Sequence, residues 1–382
     1  MNSRERLVKA LNHEEPDRVP IDFGGVSVSL IHKNAHNNLA NYLKINNPGE
    51  IIHNLMTMCV YVDERIKERF NSDIVLIQPG KPDSWELEID KNTGKWVDDW
   101  GVVYKKPAGV MFYEWDYQPL QDANEIDDIK KYKWPDPKDP GRYRGIREKV
   151  VNIYGNTGKA MLVNDAYGIW EQAMTLRGLE NALMDLAANK KFAEYLAERL
   201  LEWLLEYYDK MLNIVGNYVQ VVKMDDDLGF KNGPLMSLDT YRKIYKPRHK
   251  KIVDFIKSKT DAKIFIHSDG SIYDFLPDFI EIGIDIINPV EVTARNMDSK
   301  ILKKEFGKDL SFWGGGCAND ILEKGSPAEV EEEVKKRIWD FAPGGGYVFG
   351  SIHCIQPFMT PENITALFDG AYNYGKYPIK KS

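Results

Sequence analysis

Eight short apolar segments, most of them separated by amphipathic helical segments, constrain the fold of this chain more than any other feature. Apolar runs bounded by turn residues are typical of buried strands, and strands that alternate with helices predict a parallel sheet. The predicted strands cover residues 18–25, 73–80, 160–164, 219–224, 263–266, 284–288, 310–313 and 347–349. This alternation predicts an α/β fold, a (β/α)8 TIM barrel. The length of 382 residues suits one such barrel domain over 1–382.

Two segments before the regular part of the chain have other patterns. Helical spacing predicts a helix from about Glu50 to Phe70. Residues 84–114 instead alternate apolar and polar residues in short runs, which are separated by Asn-Thr-Gly and Pro-Ala-Gly. Period-two alternation with turn residues between the runs predicts an antiparallel β meander inserted in a barrel loop. Such an insertion could form a lid or a partner-docking edge, or it could be a hairpin without a function of its own.

Composition excludes several classes of function. The chain has 51 Lys and Arg against 58 Asp and Glu, a net charge of −7 without a basic block, which does not favour nucleic acid as a partner. No apolar window is long enough to span a membrane, and the amino terminus lacks the apolar stretch of a signal peptide. The three cysteines, without a secretion signal, favour a cytoplasmic location. A monomer and a homodimer are both compatible with the sequence.

Polar side chains follow the predicted strands at the point where each strand ends. In a barrel the carboxyl ends of all strands surround one mouth, so residues that are far apart in sequence can meet there. The strand-end residues are Asn164, Asp165, Tyr167, Asp225, Asp226, Asp227, His267, Asp269, Asn288, Glu291, Cys317 and His353. The sequence therefore predicts an active site at this mouth.

Three of these residues predict a metal site. His267, Cys317 and His353 are ligands of the kind that zinc prefers, and a catalytic zinc needs three protein ligands with one open position. Asp269 or Glu291 could be a fourth ligand or could orient an imidazole. The alternative interpretation is structural, because a strand-end histidine is often only hydrogen-bonded and an intracellular cysteine is often a core residue.

Further residues are candidates for substrate contacts and proton transfer. The run Asp225 to Asp227 places like charges side by side, so we expect one of them to face a cation or a helix N-terminus, or to hold a proton. A solvated loop with a helix cap is the alternative. Asn164, Asp165 and Tyr167 offer an amide, a carboxylate and a ring that could orient a small ligand, or they could form a turn.

Several blocks of the sequence resemble the uroporphyrinogen decarboxylase superfamily nearly from end to end. The blocks are residues 3–7 and 16–20, His-Ser-Asp-Gly-Ser-Ile at 267–272, Trp-Gly-Gly-Gly-Cys at 313–317, His353, and Pro-Glu-Asn-Ile at 361–364. Within the superfamily the chain looks closest to the cobalamin-dependent methyltransferases. These include methylcobalamin:coenzyme M methyltransferases and the methyltransferase components of aryl-ether O-demethylases. The resemblance implies a (β/α)8 barrel, in agreement with the strand pattern.

The resemblance also implies a ligand set, with departures. Coenzyme M methyltransferases bind zinc through a His-x-Cys pair and a distant Cys. Here His267 matches the histidine, Asp269 stands at the first cysteine and His353 at the last, while Cys317 could supply sulfur from the adjacent strand. Some O-demethylase components have a Glu-x14-Glu-x20-His pattern, which would match Cys317, Glu332 and His353.

A function follows from this resemblance. A zinc-dependent enzyme would move a methyl group from a small, methoxylated substrate to the cobalt of a corrinoid (cobalamin) held by a separate corrinoid protein. Asp165, Asp226 or Asp227 would position the substrate or protonate the leaving group, and Asn164, Tyr167, Asp269 and Glu291 would contact the substrate. The alternatives are a metal-free decarboxylase on the same scaffold and a non-catalytic barrel that binds a corrinoid or small ligand. The true decarboxylases carry an arginine-rich motif near the first strand, where this chain has Gly-Gly-Val-Ser-Val-Ser.

Overall fold

The computed structural model describes residues 1–164 and 167–380. The strands are β1 (Ile31–His32), β2 (Ile52–Asn54), β3 (Cys59–Val60), β4 (Ile74–Ile77), β5 (Trp96–Val97), β6 (Val103–Lys105), β7 (Glu114–Tyr117), β8 (Ala160–Val163), β9 (Val221–Asp225), β10 (Gly229–Phe230), β11 (Gly233–Pro234), β12 (Lys263–His267), β13 (Ile286–Asn288), β14 (Ser311–Trp313) and β15 (Tyr347–Val348). The helices are α1 (Ser3–Leu11), α2 (Lys33–Tyr42), α3 (Glu64–Arg69), α4 (Ile126–Lys131), α5 (Ile146–Asn156), α6 (Ile169–Arg177), α7 (Leu179–Ala188), α8 (Lys190–Val215), α9 (Leu238–Thr240), α10 (Lys246–Lys259), α11 (Leu276–Ile282), α12 (Ser299–Phe306), α13 (Asn319–Lys324), α14 (Pro327–Phe341) and α15 (Pro361–Tyr374).

A curled parallel sheet of seven strands forms the centre of the fold, in the order β4-β8-β9-β12-β13-β14-β15. These strands are buried on both faces, which explains why their sequences are nearly continuous apolar runs. The prediction of a (β/α)8 barrel is confirmed, and seven of the eight predicted strands are strands of this sheet. Their register places Asp225 of β9, His267 of β12 and Asn288 of β13 side by side.

The eighth predicted strand, residues 18–25, lies between the two edges of the sheet. Ile21 forms a parallel bridge with Phe349 directly after β15. On its other side Ile21 accepts a 2.8 Å hydrogen bond from the backbone N–H of Asp73, the residue before β4. The Asp73 carboxylate also accepts the Ile21 N–H at 2.8 Å, so a side chain takes the place of a regular ladder bond. The segment therefore joins the two edges through single bridges rather than as a regular strand.

Helix α1 covers the amino end of the barrel strands. Its Leu7 and Leu11 pack with inward-facing strand residues such as Phe265 and Trp313 in one buried cluster. Its backbone is tied to residues that precede β8 and β15, because Arg4 N–H donates to Gly158 and Ala10 accepts from Gly346. The mouth predicted to carry the active site is consequently at the opposite end. No helix of the described residues is long and apolar enough to cross a membrane.

The segments before β8 depart from the sequence expectation in detail. The predicted helix over 50–70 is wrong in its first half, where β2 and β3 form a small antiparallel sheet with β1 before α3 begins at Glu64. The predicted meander is a three-stranded antiparallel sheet of β5, β6 and β7. Its last strand begins only at Glu114, where the predicted range ends. The segment before it packs on the β1–β3 sheet, with Phe112 against His32 and the Tyr113 N–H donated to Met56.

Candidate metal centre

Two histidines and three carboxylates meet at the mouth of the barrel. Ligand atoms of His267, Asp269 and His353 all lie within 4.8 Å of one another. Asp225, Asp227 and His267 form a second group within the same limit, so the two groups share His267. His353 follows β15, and its ring centroid is 5.7 Å from that of His267. Nitrogen and carboxylate ligands at this spacing can hold a divalent metal ion.

Local structure fixes the orientation of these side chains. His267 is the last residue of β12, and its Nδ1 lies 2.7 Å from Oδ1 of Asn288 in the neighbouring strand, so its Nε2 is the ring nitrogen available for a ligand. Asp269 donates its backbone N–H to Asp227 Oδ1 at 2.8 Å. Glu291 Oε2 accepts the Gly270 N–H at 3.0 Å and so supports the loop that carries Asp269.

Several carboxylates lie close together at the site. Burial is the largest cause that raises the pKa of Asp227, to about 6, and the neighbouring carboxylates of Asp269 and Asp225 add to the rise. His267 opposes it. Burial also raises the pKa of Glu291, and Asp269 adds to that rise. Lys223, a buried residue of β9, forms an ion pair with Asp225 Oδ2. These carboxylates would gain from a cation bound among them.

The two imidazoles respond differently to this environment. Burial alone would lower the pKa of His267, but attraction by Asp225, Asp269 and Asp227 outweighs burial and raises it. Burial lowers the pKa of His353, with only partial compensation by Asp269. His353 is thus the better ligand before any metal binds, because a ligand imidazole must be neutral.

A buried oxygen supports the fit of a cation. Asp225 Oδ1 is buried and has no hydrogen-bond partner among the described residues. Buried polar atoms are nearly always hydrogen-bonded, so a buried oxygen without a partner beside a cluster of ligands is a place where an ion could bind. The donor set therefore fits a divalent metal such as zinc, held by His267, Asp269 and His353 with Asp225 and Asp227 close by.

The structure does not bring Cys317 into this group, which corrects the predicted ligand set. The Cys317 thiol is buried and lies 3.5 Å from the carbonyl oxygen of Ala318. Burial and the nearby carboxylate of Glu333 on α14 raise its pKa to about 12, so it is not a ready thiolate. Gly314 and Gly315, with φ of +88° and +70°, turn the chain between the inward-facing Trp313 and Cys317. The thiol consequently faces the helix layer.

Asp226 is not a catalytic group in this structure, although the sequence suggested one. Its carboxylate is fully buried and accepts the backbone N–H groups of Ile169 and Glu171 at 3.1 and 2.8 Å, so it caps α6. It also lies 2.6 Å from His249 Nε2. Side chains alternate across a strand, so Asp225 points into the barrel and Asp226 points out. Asp226 therefore faces a helix N-terminus, one of the positions expected for a member of this run, and it is buried rather than part of a solvated loop.

The other predicted residues fall into three groups. Asn164 Oδ1 accepts a 2.9 Å hydrogen bond from Ser27, and Tyr167 lies edge-on to Trp100 at 5.4 Å, so both contact protein groups rather than the two metal groups. Asp165 lies outside the described residues. Glu332, on α14, is exposed to solvent and forms an ion pair with Lys335 at 2.6 Å, and it belongs to neither metal group.

Sequence reasoning passed over two residues that shape the site. Lys223 was hidden inside an apolar run, although alternation along β9 places it on the same inner face as Asp225. Asn288 was recognised as a strand-end residue but not as the partner of His267. Its position in register with His267 could have been inferred from the strand alignment.

Comparison with known proteins agrees with the barrel. A sequence model of the uroporphyrinogen decarboxylase (URO-D) family matches residues 117–374, more than half of the chain. The chain belongs to the uroporphyrinogen decarboxylase family. A comparison with curated protein sequences gave no match.

Two solved structures show the extent of the structural similarity. A methyltransferase from Methanosarcina mazei superposes with a TM-score of 0.68 at 16% identity, covering 98% of this chain and 99% of its own. A B12-independent methionine synthase from Shewanella sp. W3-18-1, in complex with selenomethionine, has a TM-score of 0.45 at 12% identity, covering 94% and 96% of the two chains. The first similarity extends the shared fold over nearly the whole chain, including the part before residue 117.

Proposed function

We propose that this protein is a methyltransferase that moves a methyl group from a small methoxylated compound to the corrinoid of a separate protein. The observation that carries the proposal is the convergence of His267, Asp269 and His353 at the barrel mouth. Membership of the uroporphyrinogen decarboxylase family and the full-length similarity in fold to a methyltransferase support it.

The chain's own residues suit this chemistry. His267, Asp269 and His353 would hold a zinc ion, with Asp225 as a further oxygen donor. A bound zinc ion would supply Lewis acidity at the oxygen from which the methyl group departs, because alkoxides and phenolates are poor leaving groups. Asp227 uses Oδ1 to accept the Asp269 N–H, which leaves its Oδ2 to position the donor or to hold a proton for the departing oxygen.

The electrostatics of the mouth disfavour the decarboxylase alternative. Asp225, Asp227, Asp269 and Glu291 all lie at or beside the mouth, where they would repel a polycarboxylate tetrapyrrole. The segment after the first barrel strand supplies no arginine to offset them, since residues 24–29 are Gly-Gly-Val-Ser-Val-Ser. A neutral methoxylated donor avoids this repulsion.

In this proposal the inserted sheet takes part in docking the corrinoid protein, and its contacts with the loop after β15 support that role. Ile355, two residues after His353, bridges Ile31 of β1. The insertion packs on the same small sheet through Tyr113 N–H, which donates to Met56 at 2.9 Å. The β1–β3 sheet therefore connects the insertion with the loop that carries His353, so the insertion would border the path by which a corrinoid approaches.

Metal analysis and a methyl-transfer assay test the proposal together. Purified protein should contain about one zinc ion per chain, and His267→Ala should lose it, whereas Cys317→Ala should keep it as the matched control. Wild-type protein should methylate reduced free cobalamin or a corrinoid protein from a methoxylated donor, and His267→Ala should not. Folded, metal-free protein that transfers methyl groups, or that decarboxylates instead, would contradict the proposal.

A further inference from the structure

Asn288 holds the histidine that both ligand groups share. It is the last residue of β13, is 4% exposed, and lies directly opposite His267 in the parallel register. Its Oδ1 is 2.7 Å from His267 Nδ1, and its Nδ2 donates to the backbone carbonyl of Trp313 at 3.0 Å. The amide thus connects the ends of three neighbouring strands, β12, β13 and β14.

These contacts determine which atom of each group carries hydrogen. The Trp313 carbonyl oxygen can only accept, so the amide atom facing it must be the NH2 group. The amide oxygen then faces His267, and an oxygen can only accept, so His267 Nδ1 must be the donor. In a neutral imidazole the lone pair consequently lies on Nε2, the ring nitrogen that the contact with Asn288 leaves available.

The residue that fixes the amide is itself held in place. Trp313 Nε1 donates to Asp22 Oδ2 at 2.8 Å, and the Trp313 ring packs edge-on against Phe265 at 5.3 Å. Asp22 is buried and uses its other oxygen to accept the Gly25 N–H at 2.8 Å and the Ser29 hydroxyl at 2.9 Å. A chain of hydrogen bonds therefore runs from Asp22 in the first barrel segment through Trp313 and Asn288 to His267.

We propose that Asn288 is a positioning residue that fixes His267 in the Nδ1–H form and so directs the Nε2 lone pair to the metal. This inference rests on the proposed metal site. An amide suits the position better than a carboxylate for two reasons. It supplies the donor that the Trp313 carbonyl needs, and it adds no charge to a mouth that already contains Asp225, Asp227 and Asp269.

Substitutions at Asn288 separate its two hydrogen bonds. Asn288→Ala removes both, whereas Asn288→Asp keeps an acceptor for His267 Nδ1 and loses the donor to Trp313. Asn363→Ala is the matched control, because Asn363 is 2% exposed and its Nδ2 donates to the carbonyls of Leu322 and Gly325, away from the mouth. Thermal unfolding of each variant identifies any that fails to fold.

Two measurements test the role of Asn288. Competition titration with zinc should show Asn288→Ala weakened by about 10- to 100-fold, Asn288→Asp by less than about 10-fold, and Asn363→Ala unchanged. In metal-free protein labelled with ¹⁵N-histidine, at an alkaline pH where the ¹⁵N shifts show a neutral His267, the ring should be protonated on Nδ1 in the wild type and in Asn288→Asp. It should be a mixture of both forms in Asn288→Ala.

Two results would overturn the inference. One is Asn288→Ala with wild-type zinc affinity, and the other is a wild-type His267 protonated on Nε2. Failure of the wild type to bind zinc at all would instead contradict the proposed function. In that case the NMR experiment, which needs no metal, still shows whether Asn288 sets the form of His267.

Discussion

Carboxylates at the two ends of the barrel differ in how completely the protein pairs them. At the amino end, Asp73 is fully buried and receives Arg6 and Arg18, each at 2.7 Å, together with the Ser3 hydroxyl and the Ile21 N–H. At the carboxyl end, Asp225 pairs with Lys223, but its Oδ1 has no partner among the described residues. Both oxygens of Asp73 are paired within the protein. Asp225 has one oxygen without a partner in the part of the chain that the structure describes.

This contrast separates stability from function in physical terms. Fully paired charges at the amino end connect α1, the first barrel segment and β4, and they have no capacity for an outside ligand. Incompletely paired charges at the mouth cost stability, and a protein retains such groups where they bind something else. The comparison predicts that removing a carboxylate lowers the free energy of unfolding at the amino end. At the mouth the same kind of change should leave it unchanged or raise it.

The largest effect is expected at the amino end. Asp73→Asn removes the buried charge that Arg6 and Arg18 share and turns one oxygen into an NH2 donor that faces a guanidinium, so the free energy of unfolding should fall by about 3–5 kcal/mol. Urea unfolding measures it. The control is Asp369→Asn, whose partner Arg69 is at a similar 2.7 Å but at an exposed site, and which should cost less than about 1 kcal/mol. Equal losses in the two variants would remove the contrast between buried and exposed pairs.

Asp226 should behave like an amino-end carboxylate although it lies beside the mouth. Asp226→Ala removes the cap from α6 and the partner of His249, so we expect a loss of about 2–4 kcal/mol with unchanged zinc content. Urea unfolding and metal analysis check the two parts. Loss of zinc in a folded Asp226→Ala protein would show that the helix cap also serves the site.

Asp227→Asn should stabilise the metal-free protein at neutral and alkaline pH. The pKa of Asp227 is raised from 3.8 to about 6, chiefly by burial, so the folded state holds a proton that the unfolded state has released. A raised carboxyl pKa means that stability falls as the pH rises through about 6, by up to roughly 3 kcal/mol. The amide keeps an acceptor for the Asp269 N–H without the charge. Urea unfolding should show a higher free energy of unfolding than wild type at pH 8 and little difference at pH 4. A lower value at pH 8 would show that the Asp227 charge does not destabilise the metal-free site.

Cys317→Ala should have the smallest effect. The thiol packs among buried residues beside α14 and makes one weak contact to Ala318, so the variant should lose about 1 kcal/mol and keep its full zinc content. Metal analysis and thermal unfolding measure both quantities. Zinc content halved or lost in folded Cys317→Ala protein would restore the cysteine to the ligand set.

The barrel could be predicted from the sequence because its strands are buried on both faces. Segments such as Ala160–Val163 and Lys263–His267 are apolar runs that end in polar residues, a pattern that burial imposes directly. The small β1–β3 sheet could not be predicted, since its two- and three-residue strands are too short to show a period. Helical spacing in the first half of 50–70 was accidental, whereas the second half contains α3.

The site could be predicted in part, for a related reason. His267 ends a regular strand, so the alternation of side chains fixes it on the inner face with Phe265, and the same rule separates Asp225 from Asp226. Cys317 follows a turn of three glycines, two of them at positive φ, and beyond such a turn strand parity no longer determines direction. The link from Asn288 through Trp313 to Asp22 depends on three-dimensional proximity of side chains across the barrel, which a linear pattern does not encode.

Closure of the barrel between Ile21 and Phe349 has a consequence for synthesis on the ribosome. Ile21 precedes its partner Phe349 by 328 residues, so a nascent chain must carry two open sheet edges while the residues between them are made. A product stopped before residue 349 would keep those edges open permanently. We expect such fragments to need chaperones or to aggregate, even though most of their strands could already pair.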